Sequence, residues 1–186
     1  MIIQSKRVWI GGQFVEAQLE LQGEKISRIY PWGAKKADAD YGRERILPGF
    51  IDVHTHGSYG FDTNDAEPEG LRRWMKQIPQ EGVTGILPTT VTQLPEVLTA
   101  AVANVAKVAG EGYEGAEILG IHFEGPYLDM EYKGAQPPEA IAKASVEEFC
   151  RYQEAANGMI RYITLAPEHD EDFALTRYCR EHGVVV

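Results

Sequence analysis

The sequence predicts an α/β protein: a partial (β/α)8 TIM-type barrel, about its first four β/α units, preceded by a small antiparallel β module. Three observations predict it. From Ile46 onward, apolar runs of strand length recur, and after each one the apolar residues repeat at helical spacing. Strands that are nearly all apolar and separated by helices belong to parallel sheets covered on both sides. The strand-plus-helix repeat also matches a barrel whose eight units take about 250 residues.

Residues 1–47 are different in pattern and are expected to form a small, incomplete β-sandwich module. Lys6–Ile10, Gln13–Leu21 and Lys25–Ile29 read as short strands, punctuated by Gly11-Gly12 and by Gln22-Gly23-Glu24. Ala17, Leu19 and Leu21 alternate with Gln18 and Glu20, as one buried face of a strand requires. Ala34 to Arg43 is polar, carries Gly42, and reads as a loop.

Residues 48–186 are expected to be the N-terminal half of the barrel. The stretch Leu47 to Gly57 is read as the first buried strand. Leu71, Trp74, Met75 and Ile78 then fall at i, i+3, i+4 and i+7, an amphipathic helix closed by Gly82. Val83–Val91 is the second strand, and Leu98, Ala101, Val102, Val105 and Val108 mark a second helix with Pro95 near its start. Glu117–Gly125 is the third strand, and Ser145 with Glu148 resembles a capping box ahead of the third helix. Ile160–Pro167 is the fourth strand; Leu175, Tyr178, Cys179 and His182 mark the fourth helix, and Val184–Val186 begins a fifth strand. A half-barrel leaves open sheet edges with unpaired backbone groups. The chain is therefore expected to be part of a longer protein or to assemble from two half-chains.

Composition narrows the function classes. Hydrophobic residues make up 44% and charged residues 25%, ordinary values for a globular protein, and the net charge is −10. No basic block is present, which argues against nucleic acid or an anionic membrane as partner, because phosphate backbones need a basic footprint. A small phosphorylated ligand needs only a few local donors and stays open. Cys150 and Cys179 lack zinc or redox spacing and read as reduced structural residues. With no apolar run of membrane-spanning length and no signal-peptide layout at Met1–Lys6, a cytoplasmic protein is expected.

Chemistry concentrates in two stretches. In the first, alternation places Asp52, His54 and His56 on one strand face and Ile51, Val53 and Thr55 on the other. Two imidazoles about 6.5–7 Å apart on one strand can converge on one metal if a third ligand comes from a neighbouring strand. The alternative is a solvated strand end, but the apolar strand before the pair and Gly57 and Gly60 after it favour the metal. In the second, Gly120-Ile-His-Phe-Glu-Gly-Pro-Tyr127, His122 and Glu124 share a face, and Glu124 sits at the carboxyl end where α/β barrels carry their catalytic groups. Glu124 can complete a His2Glu set suited to zinc, with iron or manganese also compatible, or it can cap a loop amide. His122, one layer deeper, reads as an interior hydrogen-bonding residue. His169 reads as a loop residue, His182 as a helix C-terminal residue suited to the dipole, Asp65 as a cap for the first helix, and Tyr127 as a residue flanking substrate.

Five motifs together resemble the amidohydrolase superfamily and, within it, the N-acetylglucosamine-6-phosphate deacetylases. They are Leu47-Pro-Gly-Phe-Ile-Asp-Val-His-Thr-His-Gly57, Gly82-Val-Thr-Gly-Ile-Leu-Pro-Thr-Thr90, Leu119-Gly-Ile-His-Phe-Glu-Gly-Pro-Tyr127, Lys133-Gly-Ala-Gln-Pro137 and Leu165-Ala-Pro-Glu168. The first is shared across the superfamily; the His-Phe-Glu-Gly-Pro stretch with the downstream Gly-Ala-Gln-Pro is more specific. The resemblance implies hydrolysis of the acetamido group of N-acetylglucosamine 6-phosphate to glucosamine 6-phosphate and acetate. It implies a divalent metal held by Glu124, with His54 and His56 serving a second or shared metal site, and substrate contact through Ala135 and Gln136. It also implies a homodimer for the full-length protein. The general-base aspartate and two further metal histidines of that family are expected beyond Val186, so the chain alone is expected to be inactive. Another amidohydrolase acting on a cyclic amide, or a non-catalytic interaction module, are the competing readings.

Overall fold

A computed structural model describes all residues from Met1 to Val186. The chain divides into two compact units, Met1–Gly49 and Phe50–Val186.

In the first unit, β1 (Ile2–Ile10) and β2 (Gln13–Gln22) form an antiparallel hairpin, and β3 (Lys25–Pro31) pairs antiparallel with β2. The hairpin turn is Gly11-Gly12, with φ of +59° and +86°. A two-residue turn that follows the strand twist needs positive φ at both positions, which glycine adopts without strain. The module is not wholly antiparallel, however. After β3 the chain crosses to the free edge of β1, where β4 (Ala39–Asp40) and β5 (Arg45–Ile46) pair with it in parallel. The cause is local: the polar loop expected at Ala34–Arg43 carries Asp38 and Asp40, whose carboxylates accept from the Ile2 amide (2.7 Å) and the Gln4 side chain (2.9 Å). Val8, Ala17 and Leu19 make a small core, as the alternation requires. Gln18, on the opposite face, is also buried, because its side chain bonds to Gln4 and to both backbone groups of Lys35.

The second unit alternates strands with helices. It opens with β6 (Phe50–Thr55), followed by two-residue strands β7 (Gly57–Ser58) and β8 (Phe61–Asp62). Then come α1 (Pro68–Gln77), β9 (Val83–Pro88), α2 (Pro95–Glu111), β10 (Glu117–Ile118) and β11 (Ile121–Glu124). The last are α3 (Val146–Ala155), β12 (Ile160–Thr164) and α4 (Ala174–Glu181). All the pairings of β6, β9, β10, β11 and β12 are parallel. Bridges Thr89–His122 and Tyr162–Val185 continue the same order. This is an α/β fold, and its sheets and helices fit a partial TIM-type barrel.

Helical spacing identified most of what the helices bury; His182, spaced as part of the α4 face, is instead its exposed C-cap. Leu71, Trp74 and Met75 of α1, Leu98, Val102, Val105 and Val108 of α2, Phe149 of α3, and Leu175 and Cys179 of α4 are all fully buried. They pack with Ile86, Ile121, Phe123, Ile160 and Ile163 from the strands. Burial pushes the Cys179 thiol up to about 12, consistent with an inert structural cysteine.

Several local expectations need correction. The single third strand is two: β10 pairs with β9, the chain bends at Leu119-Gly120, and β11 pairs with β12. The strand at Leu47–Gly57 is not buried; Phe50, Ile51 and Val53 are 62%, 63% and 46% exposed. Its position explains this, since β6 is the edge of the order β10-β9-β6. Asp65 does not cap α1. It closes a capping box on a one-turn 3-10 helix, Thr63–Asp65, accepting from the Asp62 amide. Ser145 caps α3 by accepting from the Glu148 amide at 3.2 Å, but the Glu148 carboxylate turns away to accept from Tyr127.

α4 is capped from a distance. Asp170 accepts from the Leu175 amide (3.0 Å) and the Thr176 amide (2.8 Å). Burial alone raises the carboxyl pKa, but these two amides, together with the Thr176 side chain and the charge of Arg177, outweigh it and hold the group below the usual carboxylate range. A depressed folded-state pKa gives stability that is present above the unfolded value, about 3.9, and lost as pH falls through the folded one. Asp170→Ala should cost about 1–2 kcal/mol at pH 7. Urea unfolding of both forms at pH 7 and at lower pH checks this: the gap between them should close in acid.

Candidate metal centre

The carboxyl ends of β6 and β11 meet, because both are parallel to β9, which lies beside each. Glu124 ends β11, His54 lies near the end of β6 and His56 lies one residue past it. His54 Nε2 and His56 Nε2 each stand 3.2 Å from Glu124 Oε2, and the imidazole centroids are 5.2 Å apart. The Glu124 side chain is 16% exposed, while His54 and His56 are 47% and 36% exposed, so the cluster is open on the histidine side.

Asp52 bonds within its own strand. Its Oδ1 accepts from the His54 amide at 2.9 Å and its Oδ2 accepts from the Thr55 hydroxyl. The β6–β9 register is irregular between Asp52 and Thr55, the same stretch in which these bonds form.

The hydrogen bonds fix the character of His56. Its Nδ1 lies 3.2 Å from the Thr89 carbonyl, which can only accept, so Nδ1 carries the proton. In the neutral ring Nε2 then presents a lone pair toward the Glu124 carboxylate. Two lone pairs facing each other at that range repel unless a cation lies between them. Two imidazole nitrogens and one carboxylate oxygen, all within 4.8 Å of one another, suit a divalent zinc, iron or manganese ion. The donor set therefore fits a metal.

His122 is buried beneath this cluster. Its Nδ1 donates to the Val53 carbonyl at 2.8 Å and its Nε2 accepts from the Thr164 hydroxyl at 2.8 Å. Desolvation lowers its pKa, which keeps the ring neutral and preserves that tautomer. It is the interior hydrogen-bonding residue that the sequence suggested. Gln136 is buried and accepts through Oε1 from the Thr92 amide at 2.8 Å, pinning the loop after β9; Ala135 beside it is exposed. Tyr127 does not line the site. It is 1% exposed and faces α3, where it donates to Glu148 at 2.9 Å. His169 lies in a one-turn helix, Pro167–His169, and pairs with Asp129; His182 caps α4 and donates to the Tyr178 carbonyl at 2.8 Å.

The residues sequence reading missed are the supports. Thr89 accepts through its hydroxyl from the Thr55 amide and through its carbonyl from His56, and Thr164 orients His122. Their one sequence signal is a threonine at the carboxyl end of an apolar strand.

A model of the amidohydrolase family matches residues 45–176. The chain belongs to the amidohydrolase family. Members usually use a divalent metal, in keeping with the donors gathered here. Among curated proteins, N-acetylglucosamine-6-phosphate deacetylase of Bacillus subtilis (strain 168) is 43% identical over 143 residues, covering 75% of this chain and 36% of that protein. The enzyme of the same name from Vibrio furnissii is 37% identical over 187 residues, covering 98% of this chain and 47% of that protein. Among solved structures, N-acetyl-D-glucosamine-6-phosphate deacetylase from Mycobacterium smegmatis superposes with a TM-score of 0.91 at 28% identity, covering 100% of this chain and 48% of that one. This amidohydrolase chain thus spans less than half the length of each of these three relatives.

Gly125, directly after Glu124, has φ of +71°, and a Cβ there would lie 1.9 Å from Thr92 Oγ1. Gly125→Ala should therefore cost at least about 1–2 kcal/mol from the left-handed backbone alone. A lowered melting temperature checks it, and an unchanged one would mean that the backbone at this position relaxes out of the left-handed region.

Proposed function

We propose that this chain serves the metal-dependent hydrolysis of the acetamido group of N-acetylglucosamine 6-phosphate, giving glucosamine 6-phosphate and acetate. The observation that carries the reading is the convergence of His54 Nε2 and His56 Nε2 on Glu124 Oε2 at the carboxyl ends of two parallel strands. Glu124, His54 and His56 hold the ion, zinc in the first instance, with iron or manganese as alternatives. Such an ion supplies Lewis acidity toward the amide carbonyl and toward water. Ala135 and Gln136 contact the sugar, the loop being held in place by the bond from the Thr92 amide to Gln136. In the reaction a C–O bond forms from water, the amide C–N bond breaks, and a proton passes to the leaving amine.

The architecture fits the same reading. Residues 48–186 correspond to about four barrel units and the start of a fifth, and residues 1–47 to an incomplete β-sandwich. The proton-shuttling aspartate and two further metal histidines come from outside these 186 residues. The working enzyme is a cytoplasmic homodimer that acts on a small amino-sugar phosphate and engages neither nucleic acid nor membrane. No helix is long and apolar enough to cross a membrane.

The test has two arms. The working enzyme should release acetate from N-acetylglucosamine 6-phosphate, lose that activity to a chelator and regain it with zinc. A preparation shown by mass spectrometry to hold only these 186 residues should be inactive or nearly so. Zinc-dependent deacetylation by that preparation would overturn the assignment of the base and further ligands to residues outside the chain.

A further inference from the structure

We infer that His122 is the positioning residue for His54 in the metal centre, acting through a hydrogen bond to the peptide that carries it. The inference rests on the metal reading above and adds a component to it. Three observations support it.

The first is which group His122 holds. Its Nδ1–H donates to the carbonyl of Val53 at 2.8 Å, and that carbonyl belongs to the peptide unit joining Val53 to His54. Fixing this peptide plane fixes the direction in which the His54 Cα presents its imidazole. The second is where the support is needed. β6 is an edge strand, its register against β9 is irregular between Asp52 and Thr55, and Val53 and His54 lie inside that irregular stretch. The ladder alone does not hold His54 firmly there, so a bond from a buried side chain takes over the task. The third is the rigidity of the support. His122 is 1% exposed and its Nε2 accepts from Thr164 on β12 at 2.8 Å. Its ring lies between His54 and Tyr162, with centroid separations of 4.7 Å and 4.4 Å.

Both ring nitrogens are thereby engaged, one as donor and one as acceptor, which leaves His122 no lone pair for a metal. Its contribution is orientation. One imidazole thus links β12, β11 and β6 beneath the site. Partners that orient metal ligands typically contribute 10–100-fold in metal affinity.

The two nitrogens can be separated experimentally. An asparagine amide occupies the place of Nδ1 and a glutamine amide that of Nε2. His122→Asn retains the donor to Val53; His122→Gln retains the Thr164 end and loses that donor; His122→Phe loses both. Zinc affinity of the 186-residue chain is measured by chelator competition, and the cobalt-loaded form gives a visible absorption spectrum that reports site geometry. Circular dichroism establishes that each variant is folded. His122→Gln should bind zinc about 10–100-fold more weakly with an altered cobalt spectrum, and His122→Asn should stay within a few-fold of the unchanged chain with its spectrum preserved. His122→Phe, where it folds, should show the weakened binding and altered spectrum of His122→Gln; where it does not fold, the Asn and Gln pair decides. Equal losses in Asn and Gln, or no loss in either, would overturn the positioning role while leaving the metal site standing. Failure of the unchanged chain to bind zinc or cobalt, both alone and within the complete protein that supplies the further histidines, would overturn the metal reading itself, and the inference with it.

Discussion

Glu124→Gln is expected to lower the zinc affinity of this chain by about 100-fold or more, with the fold retained. Groups that only orient a ligand already contribute 10–100-fold, so loss of the one anionic ligand cannot cost less. Glu124 Oε2 is the atom on which both histidines converge, at 3.2 Å from each. Glutamine keeps the volume and removes the charge. His54 and His56 are then left as two neutral nitrogens on the exposed side of the site, a weak chelate. Chelator competition measures the change, and unaltered circular dichroism shows that the loss is local. Equal affinity in the variant would remove Glu124 from the ligand set.

Phe123→Ala is expected to destabilise the second unit by about 3–5 kcal/mol. Phe123 is fully buried and stands on the opposite face of β11 from Glu124. Its ring lies 4.9 Å from that of Tyr152 and meets Phe149 edge-on at 6.2 Å, so it is the contact by which β11 holds α3. Truncation removes apolar burial and leaves a cavity that neighbouring aromatic rings cannot fill. Against a total stability of about 5–15 kcal/mol, the loss is severe. The urea midpoint should fall with little change in slope. A loss below about 1 kcal/mol would mean that α3 collapses onto the strand.

The two substitutions sit at adjacent positions and act on different properties, and strand alternation is the reason. His122 and Glu124 face the site while Phe123 faces the helices. That division was legible from the string His-Phe-Glu alone, as was the burial of Leu71, Trp74 and Met75 from helical spacing. Both are consequences of the local backbone period, which neighbours in sequence share. Alternation did not reveal partners: Asp52 bonds to the His54 amide and the Thr55 hydroxyl within the irregular stretch of β6. Tyr127, beside the Gly-Pro turn, reads as a substrate neighbour and is instead sequestered by Glu148, 21 residues later.

The sequence by itself singled out the residues that the structure gathers into the candidate site, because their side-chain types and their spacing within each strand are local properties. It also determined the alternation of strands and helices after Ile46, through period and capping residues, but not the short strands β4, β7 and β8 or the break between β10 and β11. Only the tertiary structure decided how these pieces meet. It brought Glu124 to the histidine pair across 70 positions, assigned His122 to Val53 and Thr164, and set β4 and β5 parallel to β1. The physical reason is the range of the forces involved. Backbone periodicity and capping act over a few residues, whereas the pairing of edges and the hydrogen bonds of buried side chains depend on which distant segments the folded chain places side by side.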